Sequence, residues 1–230
     1  MALVKLYQNL IDKLHYLDGV PALLIRIYLA PIFVMAGYSK LQLGNPDVTG
    51  IASLMADPNV VSWFGNADWG LGLPFPSLLA NLAAWTEFLG GWMLLFGVLT
   101  RLVSIPLMFT MFIAATSVHA DNGWFAITPT NPDTSPAKMV SWLGFDSAEQ
   151  SLLNSTDTGE RLNRMRSILE DNGNTEWLYE KGSIVVLNNG VEFAVTYFIM
   201  LLALFFIGAG RFTSIDYYSA QRLFKEPSKF

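Results

Sequence analysis

The sequence predicts an all-α integral membrane protein built on a bundle of four transmembrane helices. Hydrophobic residues make up 52% of the 230 residues, and charged residues make up only 14%. Ordinary soluble domains carry about 25% charged residues. The mean hydropathy is +0.37. Four stretches approach the roughly 20 apolar residues that are needed to cross the ~30 Å hydrocarbon core of a bilayer.

The four predicted spans cover about residues 20–43, 77–99, 102–119 and 191–210. A cleaved signal peptide is a competing interpretation of the first stretch. That stretch is too long for the apolar part of a signal peptide, contains Arg26, and lacks a cleavage site of small residues. We therefore expect it to be retained as a membrane helix.

The basic residues predict how the spans are oriented. Arg101, Arg211 and the lysines near both termini fall on one side of the membrane if the termini share a face. The loop of residues 44–76 on the opposite side contains three aspartates and neither lysine nor arginine. Because short cytoplasmic loops are enriched in lysine and arginine, both termini are predicted to be cytoplasmic.

We predict a single membrane domain over residues 1–230, which includes the regions outside the spans. Leucines recur at helical spacing over residues 3–17, with polar residues between them, which predicts an N-terminal interfacial amphipathic helix. Residues 121–190 are predicted to be an extracytoplasmic insertion that forms a partly ordered loop cap. Five of the seven tryptophans lie in the outer loops, as expected either of an aromatic belt or of a folded cap.

Two elements are predicted within the insertion. Helical periodicity predicts a helix that starts at Thr156 or Asp157 and continues to about Asp171. Farther along, residues 177–179 and 183–187 flank a short turn and predict a β-hairpin.

Four ionisable residues are predicted inside the membrane or at its edge: Arg26, Lys40, Glu87 and Glu192. Each such group costs about 2.5–3.5 kcal/mol on insertion scales and is a functional candidate by default. Lys40 and Glu192 are expected at similar depth and are predicted to pair. One interpretation is that these charges hold helices together. The other is a ligand pocket that opens outward, with Glu87 as the candidate catalytic proton acceptor.

The remaining polar signals are weaker. Arg101, Arg211 and Asp216 are predicted to form a cluster at the inner surface, of the kind that fixes topology and caps helix ends. His15 and His119 are the only histidines and are predicted on opposite faces. No metal site is predicted, and His119 with nearby methionines is only a weak copper candidate.

Composition excludes several functions. The chain has no cysteine, so it cannot by itself exchange thiols, hold an Fe–S cluster or attach haem covalently. Its formal net charge of −5 provides no basic surface for nucleic acid. The predicted partners are the lipid bilayer and a protein on the extracytoplasmic side.

Three short motifs share an order and spacing along the spans. They are Arg26…Phe33…Gly37…Lys40, then Trp85-Thr86-Glu87-x-x-Gly90-Gly91…Gly97-x-x-Thr100-Arg101, and finally Gly208-Ala209-Gly210-Arg211-x-x-Ser214-x-Asp216. With these motifs the sequence resembles the DoxX family of small membrane proteins. The turn Pro74-Phe75-Pro76 resembles the HvfX-like branch, which is associated with maturation of copper-binding peptides.

The resemblance implies a four-helix membrane bundle in a bacterial inner (plasma) membrane. Some DoxX proteins are linked to thiosulfate:quinone oxidoreductase and others to oxidative-stress or thiol-redox complexes. This implies a redox-associated accessory subunit, with quinone as a possible ligand of a polar pocket. Two alternatives stay open: a non-catalytic partner or assembly protein that docks through its outer loops, and a proton-linked transporter of small solutes. Whether the protein is an enzyme is left undecided by the sequence.

Overall fold

The computed structural model describes residues 15–224 and, before them, residues 4, 5, 7 and 8. Most of the amphipathic helix predicted over residues 3–17 therefore lies outside the described residues. Within them the regular secondary structure is helical, accompanied by two isolated β-bridges. The chain divides into two compact units: Met1–Val118 with Ala194–Phe230, and His119–Phe193.

Nine α-helices are described in chain order, and a π-helical stretch over Ala114–Val118 extends the fourth. They are α1 Gly19–Lys40, α2 Pro58–Gly65, α3 Pro76–Phe96, α4 Thr100–Ile113, α5 Ala137–Ser141, α6 Asp146–Asn172, α7 Thr175–Tyr179, α8 Glu192–Ile207 and α9 Ile215–Phe224.

Three of these helices are long and apolar enough to cross a membrane: Gly19–Lys40, Pro76–Phe96 and Thr100–Val118. They occupy the places of the first three predicted spans. At the fourth place, α8 is apolar but has 16 residues, which is about 24 Å of helix at 1.5 Å per residue. That length is shorter than the ~30 Å core of a bilayer, so the count of four spans stays a prediction.

The ends of α3 follow from local chemistry. Pro76 stands at its first turn, where the missing N–H of proline costs no helical hydrogen bond. Gly97 follows the last turn with φ +65°, a left-handed conformation that glycine adopts without strain. Since α4 begins at Thr100, the link between the two helices is short, and they are neighbours in the fold.

The core of the first unit is formed by large aliphatic and aromatic side chains from α1, α3, α4 and α8. The fully buried members are Leu29, Phe33, Leu94, Leu107, Leu201 and Leu204. Burying each of these side chains contributes about 1.5–3 kcal/mol relative to exposure to water. Side chains that face lipid do not gain this free energy. The buried core and the polar contacts between helices therefore specify how the helices pack.

In the second unit, the structure corrects the prediction of a β-hairpin. Residues 175–179 form α7, because the side chain of Asn174 accepts a hydrogen bond from Trp177 N at 3.2 Å and caps the helix start. The predicted helix is confirmed but starts earlier, at Asp146 instead of Thr156. Its first turn carries Asp146 and Glu149, which the positive end of the helix dipole favours.

Candidate functional site

Arg26 is the most deeply buried charged residue among those described, with 1% of its surface exposed. Its guanidinium donates five hydrogen bonds to four backbone carbonyls. They are Leu94 O at 2.6 Å, Leu95 O at 2.7 Å, Ala209 O at 2.6 Å, and Thr213 O at 3.3 and 3.2 Å from the two Nη atoms. The planar fork of arginine is suited to contacting several acceptors at once.

Three of these four carbonyls lie at or just after helix ends. Leu94 and Leu95 belong to the last turn of α3, and Ala209 follows α8. The last carbonyls of a helix lack partners within it and carry the negative end of its dipole. Arg26 therefore joins the end of α3 to the segment after α8, and its donors are used by the backbone rather than by a ligand.

Glu87 lies in the middle of α3 and is 5% exposed. Its Oε2 accepts a hydrogen bond from Lys40 Nζ in an ion pair between α3 and α1. Lys40 also donates to Ala36 O at 3.3 Å, one turn back along α1. The Lys40 side chain is 27% exposed. The predicted partner of Lys40 was Glu192, so the structure corrects the prediction and gives Lys40 a different partner.

Two glycines allow α1 and α3 to approach closely enough for this pair. A Cβ on Gly37 would lie 2.7 Å from Phe88 Cα, and one on Gly91 would lie 2.7 Å from Val34 N. Such distances are too short for any side chain, so the two backbones touch at both positions. Small residues at this kind of contact are typical of membrane helix pairs.

The second carboxylate oxygen of Glu87 has no hydrogen-bond partner in residues 15–224. The pair thus combines an acceptor oxygen that is still available with an ammonium that is partly exposed. A carboxylate in this position can take up and release a proton. The ammonium can donate a further hydrogen bond, because it carries three N–H groups.

The structure does not bring Arg26 to this pair. Along α3, Leu94 is seven residues beyond Glu87, which is about 10 Å along a helix axis. The described contacts give Arg26 and Glu87 different partners, so one pocket containing both residues stays a prediction. The sequence places Arg26 in the first predicted span, but carbonyl partners leave no sequence pattern by which they could be found.

Glu192, the first residue of α8, has a different role from the predicted one. Its Oε2 accepts a hydrogen bond from Ala126 N at 2.9 Å, and its own N donates to Trp124 O at 2.9 Å. All three residues belong to the second unit. Glu192 thus fastens the segment around Ala126 to the start of α8.

The residues predicted as an inner-surface cluster each hold a different chain segment. Asp216 accepts from Leu99 N at 2.6 Å and Thr100 N at 2.8 Å, and so caps the start of α4. Arg101 donates to Phe206 O at 3.2 Å.

The third member, Arg211, pairs with Asp18 at 3.2 Å. The hydrogen bond and the negative charge of Asp18 raise the pKa of the Arg211 guanidinium above its ordinary value. The pair is partly exposed, so its contribution to stability is small.

His119, the weak metal candidate, donates from Nδ1 to Asn189 O at 2.8 Å. Among the described residues, no group of three or more His, Cys, Asp or Glu side chains is arranged to hold a metal ion. In the described part of the chain, His119 therefore has a backbone partner and does not belong to a cluster of such side chains.

Comparison with known proteins finds a family match over part of the chain. The model of the DoxX family matches residues 22–120, which include most of α1, all of α3 and all of α4. Glu87, Lys40 and Arg26 lie inside the matched region. No curated protein and no solved structure matches the chain. The chain is a multi-pass membrane protein whose residues 22–120 are similar to the DoxX family.

Proposed function

We propose that this protein is a redox-associated accessory subunit in which the Lys40–Glu87 pair contacts a quinone head group. The observation that carries the proposal is the ion pair itself: a buried carboxylate with an available oxygen, next to a partly exposed ammonium. The redox association comes from the resemblance to DoxX proteins. Ionisable groups at membrane depth are functional candidates because they are costly to keep there.

The residues around the pair suit such a head group. Lys40 supplies N–H donors for a carbonyl oxygen, and Glu87 holds or releases a proton beside it. Next to Glu87 in the chain, the ring of Phe88 lies 6.5 Å from that of Tyr38 and 5.9 Å from that of Trp85. These rings offer flat apolar surfaces. A bound quinone would accept two electrons and two protons. We assign the electrons to a partner redox protein, since a chain without cysteine has no thiol or Fe–S cluster to supply them.

Two residues of the pocket predicted from the sequence have other partners in the structure. Arg26 directs its donors to backbone carbonyls, and Glu192 accepts from Ala126 N in the second unit. The ligand-contacting residues that remain are Lys40 and Glu87. We treat Glu87 as the group that moves a proton and Lys40 as the group that orients the carbonyl.

Replacing Glu87 with glutamine tests this function. Wild-type protein purified in mild detergent should retain quinone, detected by solvent extraction and absorbance, at about one molecule per chain. In Glu87→Gln the retained amount should fall at least about tenfold, equivalent to about 1.4 kcal/mol of binding free energy. Glutamine keeps the shape of the side chain and an oxygen that can accept from Lys40, but it carries neither the charge nor an exchangeable acidic proton.

Asp133→Asn is the matched control for this substitution. It also neutralises a carboxylate that pairs with a lysine, here Lys138 at 2.5 Å, but at an exposed site of the second unit. The hydrogen bond from Lys138 lowers the pKa of Asp133, so the carboxylate is charged at neutral pH in the wild type. Retention should be unchanged in this variant. Wild-type protein without quinone, or equal retention in Glu87→Gln, would contradict the proposal.

A second candidate function is docking of an extracytoplasmic protein. It is favoured by the apolar run, which we define as residues 139–145 at the junction of α5 and α6. Its large apolar side chains are exposed: Met139, Val140, Trp142, Leu143 and Phe145. An exposed apolar patch of this kind is typical of a protein contact site, and tryptophan is frequent at the centres of such sites.

The double substitution Trp142→Ser with Leu143→Ser should abolish a complex that survives purification of wild-type protein from its native membrane. The measurement is the mass of the purified species in detergent by light scattering. Trp177→Ser, which removes an equally exposed tryptophan elsewhere in the second unit, should leave the complex intact. A wild-type protein that elutes alone would count against docking.

A further inference from the structure

An open cleft of about 860 Å³ lies within the second unit; it is lined by neither Lys40 nor Glu87 and shares only Val140 with the apolar run. Its volume falls in the range of roughly 300–1,000 Å³ that is usual for small-molecule sites. Its lining comes from α6, from the start of α5 and from the segment after His119, with Asn188. All of these residues belong to the second unit.

The α6 wall is a polar stripe, which we define as Ser147, Gln150, Ser151 and Asn154. Positions separated by three, four and seven residues lie on one face of a helix. Ser147, Gln150 and Asn154 are exposed, and in residues 15–224 their side chains have no hydrogen-bond partner. The stripe therefore presents uncharged hydroxyl and amide groups that are available to a ligand.

The segment after His119 contributes two aromatic side chains to the lining, Trp124 and Phe125, of which Trp124 is 53% exposed. The backbone beside them is held in place. Asn188 Nδ2 donates to Asn122 O at 2.5 Å and to Phe125 O at 2.9 Å, and Gly190 N donates to Phe125 O at 3.0 Å. An aromatic surface held this way loses little further freedom when a ligand binds.

The charges of the cleft narrow the class of ligand. Of the 15 lining residues, none is lysine, arginine or histidine, and Asp121 is the one carboxylate. An anionic ligand would find no counter-charge. A wholly apolar ligand would cover amides and hydroxyls without replacing their hydrogen bonds to water, which is unfavourable. The lining fits a ligand that is uncharged, rich in hydroxyl or amide groups, and flat and apolar on one face.

We infer that this cleft binds an uncharged saccharide. A sugar ring has hydroxyl groups at its edge and C–H groups on its faces. The ring face packs on the indole of Trp124, and the ring hydroxyls exchange hydrogen bonds with Gln150, Ser151 and Asn154. An amide is suited to this contact because it donates and accepts side by side. The volume of the cleft is sufficient for an oligosaccharide of a few rings.

The test is calorimetric titration of the full chain in phosphatidylcholine nanodiscs, which avoids detergents with sugar head groups. The probes are the trisaccharide of N-acetylglucosamine, maltotriose and a neutral alanine tripeptide. We expect one of the trisaccharides to bind at one per chain. Asn154→Ala and Trp124→Ala should each weaken that binding at least about tenfold.

Two matched controls separate the cleft from the rest of the unit. Asn163→Ala removes an exposed asparagine of the same helix outside the cleft, and Trp177→Ala removes an exposed tryptophan outside it. Both should bind the trisaccharide as the wild type does. Since alanine favours a helix more than asparagine does, Asn154→Ala retains α6.

Three outcomes would overturn the inference. The first is that neither trisaccharide binds up to about 10 mM, well above the dissociation constants of ordinary specific sites. The second is that the tripeptide binds and the trisaccharides do not. The third is that Asn154→Ala and Trp124→Ala bind as tightly as their controls.

Discussion

Arg26→Met should destabilise the protein by about 4 kcal/mol or more, so that little folded protein is recovered from the membrane. Methionine fills a similar volume but donates no hydrogen bond. Four backbone carbonyls, two of them buried and two part-buried, would lose their contacts with Arg26, and each unsatisfied buried group costs about 1–3 kcal/mol. A loss of this size is a large part of the ~5–15 kcal/mol that holds a typical protein folded. The measurement is thermal unfolding in detergent, with the yield of soluble protein.

Two further variants make the Arg26 prediction specific. Arg222→Met removes an exposed arginine of α9 and should change stability by no more than about 0.5 kcal/mol. Arg26→Lys keeps the charge but loses the planar fork, so its stability should fall between those of the wild type and Arg26→Met. Equal stability of Arg26→Lys and wild type would show that the charge alone matters, contrary to the hydrogen-bond argument.

Gly37→Ala should destabilise the protein by about 3 kcal/mol through a clash at the α1–α3 contact. The added Cβ would lie 2.7 Å from Phe88 Cα and 2.6 Å from Ala84 O. Both atoms belong to the backbone of α3 and cannot turn aside, so the helices must separate. Overpacking of this kind costs about 1–3 kcal/mol. The readout is the unfolding temperature in detergent.

The sign of the change in stability in Gly37→Ala distinguishes a backbone clash from the effect of helix propensity. By helix propensity alone, alanine should stabilise α1 by about 1 kcal/mol relative to glycine. Ser39→Ala places alanine at an exposed position of the same turn without a clash and should be near neutral. A Gly37→Ala protein more stable than the wild type would show that the two backbones are not in contact.

The membrane class and the places of three spans could be predicted because they depend on local properties. Apolar residues in a run of about 20 favour the bilayer whatever their neighbours are. The second span was predicted at about residues 77–99 and is found at Pro76–Phe96. The small difference arises because Gly97 ends the helix. In α7, by contrast, the cap from Asn174 favours a helix. The apolar pattern of residues 177–179 did not predict that cap, and it was interpreted as a strand.

For the candidate site, the sequence identified the costly charges but not their partners. Hydropathy locates Lys40, Glu87 and Glu192 along the membrane normal. It does not determine which helices are neighbours or how each is rotated. The contact at Gly37 makes α1 and α3 neighbours, and Lys40 then meets Glu87 instead of Glu192.

The sequence by itself therefore determined that this is a membrane protein, where three of its helices lie, and that Arg26 and Glu87 are buried at a cost. The tertiary structure alone decided how each cost is met: carbonyls at helix ends for Arg26, and Lys40 for Glu87. The physical reason is that burial depends on the residue type and its depth. A hydrogen bond or ion pair depends instead on a distance of a few ångströms between groups far apart in the chain.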